Sequence, residues 1–190
     1  MTANRSLLTA AALGLGLAGC AVSAPPAATL RSPATPSLQV YETAPTTTEG
    51  EALLAVDPDT AYRTVSDYNR WPAVFPTVAR VEITRQTGAD DRVTFIAPDG
   101  HRDNLHFHNR PDLRTIWFED TGGHADVWAQ TTFMPGTAPG TTRVHTRLYA
   151  KVHGLATLVV SSGDVRSMRQ HRVASDLAQL SAHFGAVAAR

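Results

Sequence analysis

Alternation of apolar and polar residues with a period of two marks six segments in the middle of the chain. They span residues 79–85, 92–97, 102–108, 113–119, 126–134 and 141–153. Clusters of Gly, Pro, Asn, Asp and Thr separate them. Such alternation between turn residues is typical of half-buried β-strands, and short connections join antiparallel neighbours. The pattern therefore predicts an antiparallel meander.

The residues before the meander predict shorter elements. Residues 38–41 alternate and are a candidate first strand, residues 45–50 read as a loop, and residues 52–56 form a short apolar strand. Asp57 followed by Pro58 is a favourable helix start, because Asp caps the free N–H groups and Pro suits the first helical position. Trp71-Pro72 ends this helix, and residues 73–78 predict one further turn.

Residues 165–187 carry the helical period. One apolar stripe runs along this segment through Met168, Val173, Leu177, Leu180, Phe184 and Val187. The apolar run before it, residues 155–160, fits either a mobile lip or a buried strap. We therefore predict an α+β fold with a sheet of six to seven antiparallel strands, two short helices after the first core strand and one long C-terminal helix.

The N-terminal residues predict an export signal. Residues 1–19 combine a short positive region with an apolar run too short to span a bilayer, which takes about 20 residues. The run closes with Leu17-Ala18-Gly19-Cys20, which resembles the bacterial lipobox. That resemblance implies cleavage before Cys20 and acylation of its thiol. The alternative is an ordinary cleaved secretory signal with an incidental Cys.

The next residues predict a tether. Residues 20–37 are rich in Pro, Ala, Ser and Thr and nearly lack large apolar side chains, so they cannot offset the entropy cost of ordering. We expect one folded domain over residues 38–190. Ala21, rather than Asp, follows the Cys. By resemblance to lipoprotein sorting rules, this favours a cell-envelope protein anchored in the outer membrane and facing the periplasm.

Composition excludes two broad classes. The 190 residues carry 17 Lys and Arg against 17 Asp and Glu, so the chain lacks the positive excess that a nucleic-acid-binding protein needs. A single Cys excludes a disulfide framework and any multi-thiolate metal site within the chain. With 43% hydrophobic residues, a globular domain remains.

Two stretches carry a family resemblance. Residues 56–82 run from Asp57-Pro58 through Trp71-Pro72 to Phe75-Pro76. Residues 131–144 contain Phe133-Met-Pro135 and a Gly loop before the next strand. Together with the terminal helix, they resemble the START/SRPBCC superfamily, the birch-pollen-allergen-like group that includes polyketide cyclases and coenzyme-Q-binding proteins. None of these motifs is a catalytic signature.

The resemblance implies a helix-grip fold, in which a curved sheet wraps the C-terminal helix and encloses an apolar cavity. Taken singly, inward-facing apolar residues are more often plain core than cavity lining, so the cavity follows from the resemblance. The expected ligand-binding residues, chosen by strand phase and helical stripe, are Phe75, Phe95, Leu105, Phe107, Val144, Leu148, Val173, Leu177 and Leu180.

Metal and catalytic chemistry is not expected from the sequence. His106 and His108 share one strand face, and convergence with His145 would give three imidazoles for zinc. Apolar neighbours occupy the inner face of both strands, however. We therefore expect these histidines to lie on the other face and to point to water. The chain contains no G-x-S-x-G or H-E-x-x-H motif. We accordingly predict no cofactor, no metal and no catalytic residue.

Asp67 and the arginines of the last helix also have a purely structural interpretation. Asp67, near Trp71, fits a helix-end cap better than a general base. The arginines of the last helix, Arg166, Arg169 and Arg172, are attributed to its polar face, although they would also suit an anionic head group.

Three functions remain open. The leading hypothesis is a binding or transfer protein for a hydrophobic small molecule or lipid, held at a membrane by acylated Cys20 and without a nucleic-acid partner. A second is a cyclase/aromatase-type enzyme, which would need ionisable groups inside the cavity. A third is a protein-interaction module with a filled interior and no ligand.

Overall fold

Eight strands form one antiparallel sheet in this computed structural model, which describes residues 38–120 and 124–187. The strands are β1 (Gln39–Ala44), β2 (Thr47–Leu54), β3 (Arg80–Arg85), β4 (Asp90–Ile96), β5 (Arg102–Arg110), β6 (Thr115–Asp120), β7 (Ala125–Pro135) and β8 (Thr142–Val152). Their order in the sheet is β1-β2-β8-β7-β6-β5-β4-β3. The signal sequence over residues 1–19, the lipidation site Cys20 and the tether over residues 20–37 lie outside the described residues.

Three helices complete the fold. They are α1 (Pro58–Ser66), α2 (Trp71–Val74) and the 23-residue α3 (Ser162–Phe184). Single 3₁₀ turns lie at Tyr68–Arg70, Pro111–Leu113 and Gly154–Leu158. The predicted α+β class, the two short helices and the long final helix are confirmed.

The sheet has eight strands because the candidate strand at residues 38–41 forms β1, and the predicted loop at residues 45–50 is mostly strand and lengthens the strand predicted at residues 52–56. Thr47 begins β2, which pairs with β1 on one side and β8 on the other. Thr-Thr-Glu-Gly carries no large apolar side chain, so the alternation signal is missing there. Thr48 and Gly50 are nevertheless buried, because α3 covers them.

The helix ends follow local capping chemistry. Asp57 caps α1 as predicted, with its Oδ1 accepting a hydrogen bond from the Thr60 backbone N–H at 2.9 Å. In α3, Ser161 and Asp164 form a reciprocal capping box, so the helix starts three residues before the predicted position. It ends at Gly185, whose φ of 84° an L side chain rarely adopts.

Strand register defines two faces of the sheet. The inner face carries Phe95, Phe107, Phe133, Val144 and Leu148, all of them buried. The outer face carries the polar residues that alternate with them. α3 lies across the inner face, with its main contacts on β2, β8 and β1.

α3 approaches the sheet very closely at Gly50. A Cβ built there would lie 2.5 Å from Val173 Cγ1 and 2.7 Å from Leu177 Cδ1. Such distances are far below van der Waals contact, so only glycine lets the helix seat at this depth. The stripe residues Val173, Leu177 and Leu180 are buried in this contact.

The sequence pattern attributes the arginines of the last helix to its polar face. For Arg169 this is wrong. Its residue exposure is only 1%. The guanidinium donates to Glu42 Oε2 at 2.7 Å, Thr48 Oγ1 at 3.1 Å and the Pro45 carbonyl at 3.1 Å. Because burying an unpaired charge is costly, these acceptors on and beside the β1–β2 hairpin are what make the position tolerable. The interaction ties the hairpin to α3.

A second buried polar cluster joins the 3₁₀ turn after α1 to strands β4 and β5. Asp91 Oδ2 accepts from Tyr68 Oη and from Asn109 Nδ2, each at 3.0 Å. Its Oδ1 accepts from the backbone N–H groups of Thr87 and Gly88. Burial is the main cause that raises the pKa of the Tyr68 phenol, which therefore remains a neutral donor.

The apolar run at residues 155–160 is not a buried strap. Leu155, Leu158 and Val159 are largely exposed, and only Ala156 is fully buried. Within residues 38–120 and 124–187, no helix is both long enough and apolar enough to cross a bilayer.

The glycine contact gives a stability prediction. Gly50→Ala should lower the free energy of unfolding by about 1–3 kcal/mol, because the added methyl group must displace Val173 and Leu177. Urea unfolding followed by circular dichroism measures this. Gly163→Ala, in the first turn of α3 with its nearest atom 3.5 Å from the new Cβ, is the matched control and should not destabilise. Equal stability of Gly50→Ala and the wild-type chain would contradict the close seating of α3.

Candidate functional site

α3 covers one half of the inner face more closely than the other. Its main sheet contacts are with β2, β8 and β1, so the inner face of β3–β6 lies farther from the helix. Apolar side chains on this second half point inward but are only partly buried: Val81, Ile83, Leu105 and Phe118. Inward-pointing side chains stay accessible only if they border a space. The candidate site is this space between α3 and strands β3–β6, called here the inner space.

Aromatic packing fills one end of the inner face. The Trp71 ring stacks on Phe95 with centroids 4.3 Å apart, and Phe75 packs against Trp71 at 4.7 Å. Phe107 contacts both Trp71 and Phe95 edge-on. The Trp71 indole N–H donates to the Val65 carbonyl at 2.8 Å, which satisfies its one polar atom. The two short helices thus close this end.

The nine predicted lining residues separate into two groups. Eight are buried in the core, namely Phe75, Phe95, Phe107, Val144, Leu148, Val173, Leu177 and Leu180. Leu105 alone is half-buried and faces the inner space. That all nine contact a ligand stays a prediction.

One flank of α3 presents polar groups toward β5. Arg172 Nε and Asp176 Oδ2 form an ion pair at 3.0 Å, one helical turn apart. One turn further, Gln179 Nε2 donates to Ser175 Oγ at 2.7 Å. On β5, Asp103 shares the inner face with Phe95, its partner in register, and accepts from His101 Nε2 at 3.1 Å. The charge on Arg172 acts on both carboxyl groups.

The Arg172–Asp176 ion pair on this flank remains partly accessible. Burial raises the pKa of the Asp176 carboxyl, which the Arg172 charge only partly offsets. Yet 43% of the Arg172 side chain and 25% of the Asp176 side chain remain accessible. This ion pair is therefore only partly buried, on the flank of α3 that faces β5.

Asp103 has the same electrostatic character. Burial is the main cause that raises the pKa of its carboxyl, and the charges on His101 and Arg172 oppose the shift. A carboxyl group with a raised pKa can exchange a proton nearer to neutral pH than an ordinary one. Two such groups, Asp103 and Asp176, interact with the one guanidinium of Arg172.

A groove of about 650 Å³ lies beside residues 102–105 of β5, and its lining residues belong to strands β3–β6. Within the described residues, β6 pairs with β5 only from His106 onward, so residues 102–105 lack that neighbour. The groove is lined by the inner-face residues Asp103 and Leu105 and by the outer-face residues Asn104 and His106. It therefore touches both faces of the sheet.

The sequence interpretation missed this polar set. It treated the inner face as apolar and placed Arg172 on the polar face of the helix. Asp103 lies two and four residues before Leu105 and Phe107, so the period-two alternation already puts it on the inner face. The other two residues carry no such signal, because a helix flank is polar whether it faces solvent or a cleft.

Comparison with known proteins identifies the family. The sequence profile described as polyketide cyclase / dehydrase and lipid transport matches residues 54–154, just over half of the chain. The chain belongs to this family. A search of curated proteins finds no significant match.

Solved structures share the fold of this polyketide cyclase/lipid transport family member at low sequence identity. A START superfamily protein from Mycobacterium smegmatis is 15% identical, with a TM-score of 0.62 over 73% of this chain and 97% of that one. The Zhui aromatase/cyclase from Streptomyces sp. R1128 is 15% identical, with a TM-score of 0.58 over 73% and 91%.

A third structure is larger than this chain. The di-domain aromatase/cyclase BexL of the BE-7585A biosynthetic pathway is 20% identical, with a TM-score of 0.58 over 72% of this chain and 45% of that one. This chain therefore spans less than half of BexL. The three likenesses support the helix-grip architecture, and the START/SRPBCC resemblance seen in the sequence is confirmed.

The ion pair at the inner space gives a titration prediction. Arg172→Met should raise the pKa of both Asp103 and Asp176, because it removes the positive charge that favours their ionised forms. Carboxyl ¹³C NMR titration of labelled protein measures both values. Arg166→Met, an exposed arginine of the same helix, is the control and should leave them unchanged.

The same variant changes the pH dependence of stability. Both carboxyl groups hold their proton more tightly in the folded state, so stability falls as pH rises from the ordinary value near 3.8 to the raised folded pKa. Arg172→Met widens this window upward. Unchanged pKa values in the variant would show that Arg172 does not face these carboxyl groups.

Proposed function

We propose that the protein binds and transfers a hydrophobic small molecule or lipid in the inner space. The observation that carries the proposal is the partial accessibility of inward-facing groups, apolar on the sheet and charged on α3. Membership of a family that includes lipid transport supports it. The ligand class that fits is an apolar body with one polar or anionic end for Arg172.

The driving force would be burial of apolar ligand surface, worth about 25 cal/mol per Å². Leu105 and Phe118 supply apolar contacts, and Phe107 packs behind Phe118 with ring centroids 5.3 Å apart. The groove beside β5 is the proposed route into the inner space, since its lining includes Leu105. A polar end would remain near Arg172.

Membrane attachment belongs to the same proposal. An acylated Cys20 and an extended tether over residues 20–37 would hold the domain close to the membrane that supplies its ligand, which raises the local concentration of both. We propose an outer-membrane lipoprotein that faces the periplasm. Metabolic labelling with an alkyne fatty acid, in the wild-type chain and in Cys20→Ser, tests this step separately from ligand binding.

Ligand binding is tested with a fluorescent apolar probe on the full chain. We expect 1-N-phenylnaphthylamine to bind, and Leu105→Arg to weaken binding tenfold or more, because a long charged side chain then replaces an apolar contact and loses water when the probe covers it. Leu113→Arg places the same side chain on an exposed turn and should bind like the wild type. Failure of the wild-type chain to bind this probe or extracted lipids would favour the interaction-module alternative.

A second candidate function, intramolecular cyclisation, is favoured by one observation. Asp103 and Asp176 are ionisable groups with raised pKa values at the inner space, and an enzyme would need such groups. One carboxylate would remove a proton from the carbon between two ketones. The resulting enolate would attack a third carbonyl of the same chain to form a carbon–carbon bond, and the carboxyl would return the proton to the alkoxide formed.

This second function has an assay that needs no natural substrate. The wild-type chain should accelerate deuterium exchange at the central carbon of acetylacetone, followed by ¹H NMR in D₂O, if a carboxylate acts as base. Asp176→Asn should then lose roughly 100-fold of the acceleration while still binding the fluorescent probe. Asp67→Asn, an exposed helix-end carboxyl, is the control. Equal exchange with wild-type chain and buffer would reject the enzyme and leave the binding proposal intact.

A further inference from the structure

A compact group of metal-ligating side chains lies on the outer face of the sheet, where β4, β5 and β6 are neighbours. Asp90, His106 and His108 each offer a ligand atom, and these atoms all lie within 4.8 Å of one another. Glu119 lies beside them, paired in register with His106. None of these four side chains belongs to the polar set at the inner space. We propose that they form a site for a divalent transition metal ion.

The position of His106 between two carboxylates is the first argument. Its Nδ1 lies 3.2 Å from Glu119 Oε1, and its Nε2 contacts Asp90 Oδ1. A neutral imidazole donates from one nitrogen only, so one of these two contacts needs either a second proton or a metal ion in its place. With Nδ1–H donating to Glu119, the Nε2 lone pair points toward Asp90. This arrangement orients a histidine for a metal, with the second carboxylate as outer-shell partner.

The unsatisfied nitrogen of His108 is the second, independent argument. His108 Nε2 is buried and has no hydrogen-bond partner among the described residues. Glu119 Oε1, at 3.7 Å, is too far away for a hydrogen bond. Buried polar atoms are nearly always satisfied, so an unpaired imidazole nitrogen beside a second imidazole and two carboxylates indicates a missing partner. A metal ion bound to this nitrogen would supply it.

Packing holds the two imidazoles in place. The His108 ring stacks on Trp117 with centroids 3.8 Å apart and an interplanar angle of 14°. The His106 and His108 rings lie 4.2 Å apart, and both side chains are 24% exposed. The histidines are therefore neither free in solvent, as the sequence suggested, nor sealed from it. Partial exposure leaves one side of the site open to water, which can complete the coordination.

The third histidine of the sequence hypothesis does not join this site. His145 lies on β8, three strands from β5, or about 14 Å at the usual strand spacing. There it contacts Glu49 Oε2 at 2.8 Å, and Arg147 donates to the other oxygen of that carboxyl group. The third ligand beside the two imidazoles is instead Asp90.

The donor set defines the metal class. Two imidazoles and one carboxylate suit Zn²⁺, Cu²⁺, Ni²⁺ or Co²⁺ rather than Mg²⁺ or Ca²⁺, which prefer oxygen ligands only. Three protein ligands with a remaining position for water match an open zinc site. Arg92 is next to His106 in register and Arg85 acts on the charge of Asp90. These cations weaken metal binding but favour a small anion as the fourth ligand.

Titration of the EDTA-treated full chain with ZnCl₂ by isothermal calorimetry tests the site. We expect one Zn²⁺ per chain in the wild type. Ligand variants His108→Ala and Asp90→Asn should weaken binding at least tenfold, and Glu119→Gln, which removes only the outer-shell partner, about 10-fold to 100-fold. His153→Ala removes an exposed histidine at the end of β8 and is the matched control.

Two further measurements keep the test decisive. Circular dichroism establishes that each variant is folded, and Co²⁺ absorption reports tetrahedral coordination by nitrogen and oxygen without any assumption about activity. Absence of Zn²⁺ binding in the wild-type chain would overturn the proposal. Equal binding by the wild type and His108→Ala would also overturn it. Loss of this binding with retained binding of 1-N-phenylnaphthylamine would support a metal site separate from the proposed ligand space.

Discussion

The contact between α3 and β2 at Gly50 is the constraint on which the rest of the molecule depends. Because no side chain separates helix and strand there, the helix axis is drawn toward one half of the sheet. The same short distance seats Val173 and Leu177 against the inner face. The other half of the sheet is then left with only the short helix α2, which covers one end of it. The inner space is the part of the inner face that α3 does not cover as a result.

Two arginines of α3 differ in their surroundings, because the helix covers one half of the sheet more closely than the other. Where the helix meets the sheet, Arg169 is buried and fully occupied by acceptors on and beside the β1–β2 hairpin. One turn later Arg172 points toward the open half, and its ion-pair partner Asp176 is still accessible. Two arginines three residues apart thus have different surroundings, since Arg169 is buried and Arg172 is partly accessible. Sequence spacing does not distinguish them, because both lie on the same side of the helix.

Much of the architecture could be predicted from local chemistry. Period-two alternation found the strands from β3 to β8, the Asp57-Pro58 pair placed α1, and the apolar stripe placed α3. β2 was partly missed because Thr48 and Gly50 are buried without being apolar. The polar groups of the inner space and the cluster around His106 were missed for another reason. Arg172 and Asp176 carry no signal because a helix flank is polar whether it faces solvent or a cleft, and the carboxylates beside His106 and His108 are brought there by the sheet order.

The return of the chain after α3 brings the last described residues close to β1, the first described strand. Ala186 forms a bridge with Leu54 at the end of β2, while Gln39 at the start of β1 pairs with Glu51 on the same strand. Because β8 occupies the other side of β2, residues 39 and 186 both lie on the β1 side, about three residues apart along the strand. Proteins with neighbouring termini tolerate circular permutation. A short linker joining these positions would allow new termini to open at the Pro98–Gly100 turn without stretching the sheet.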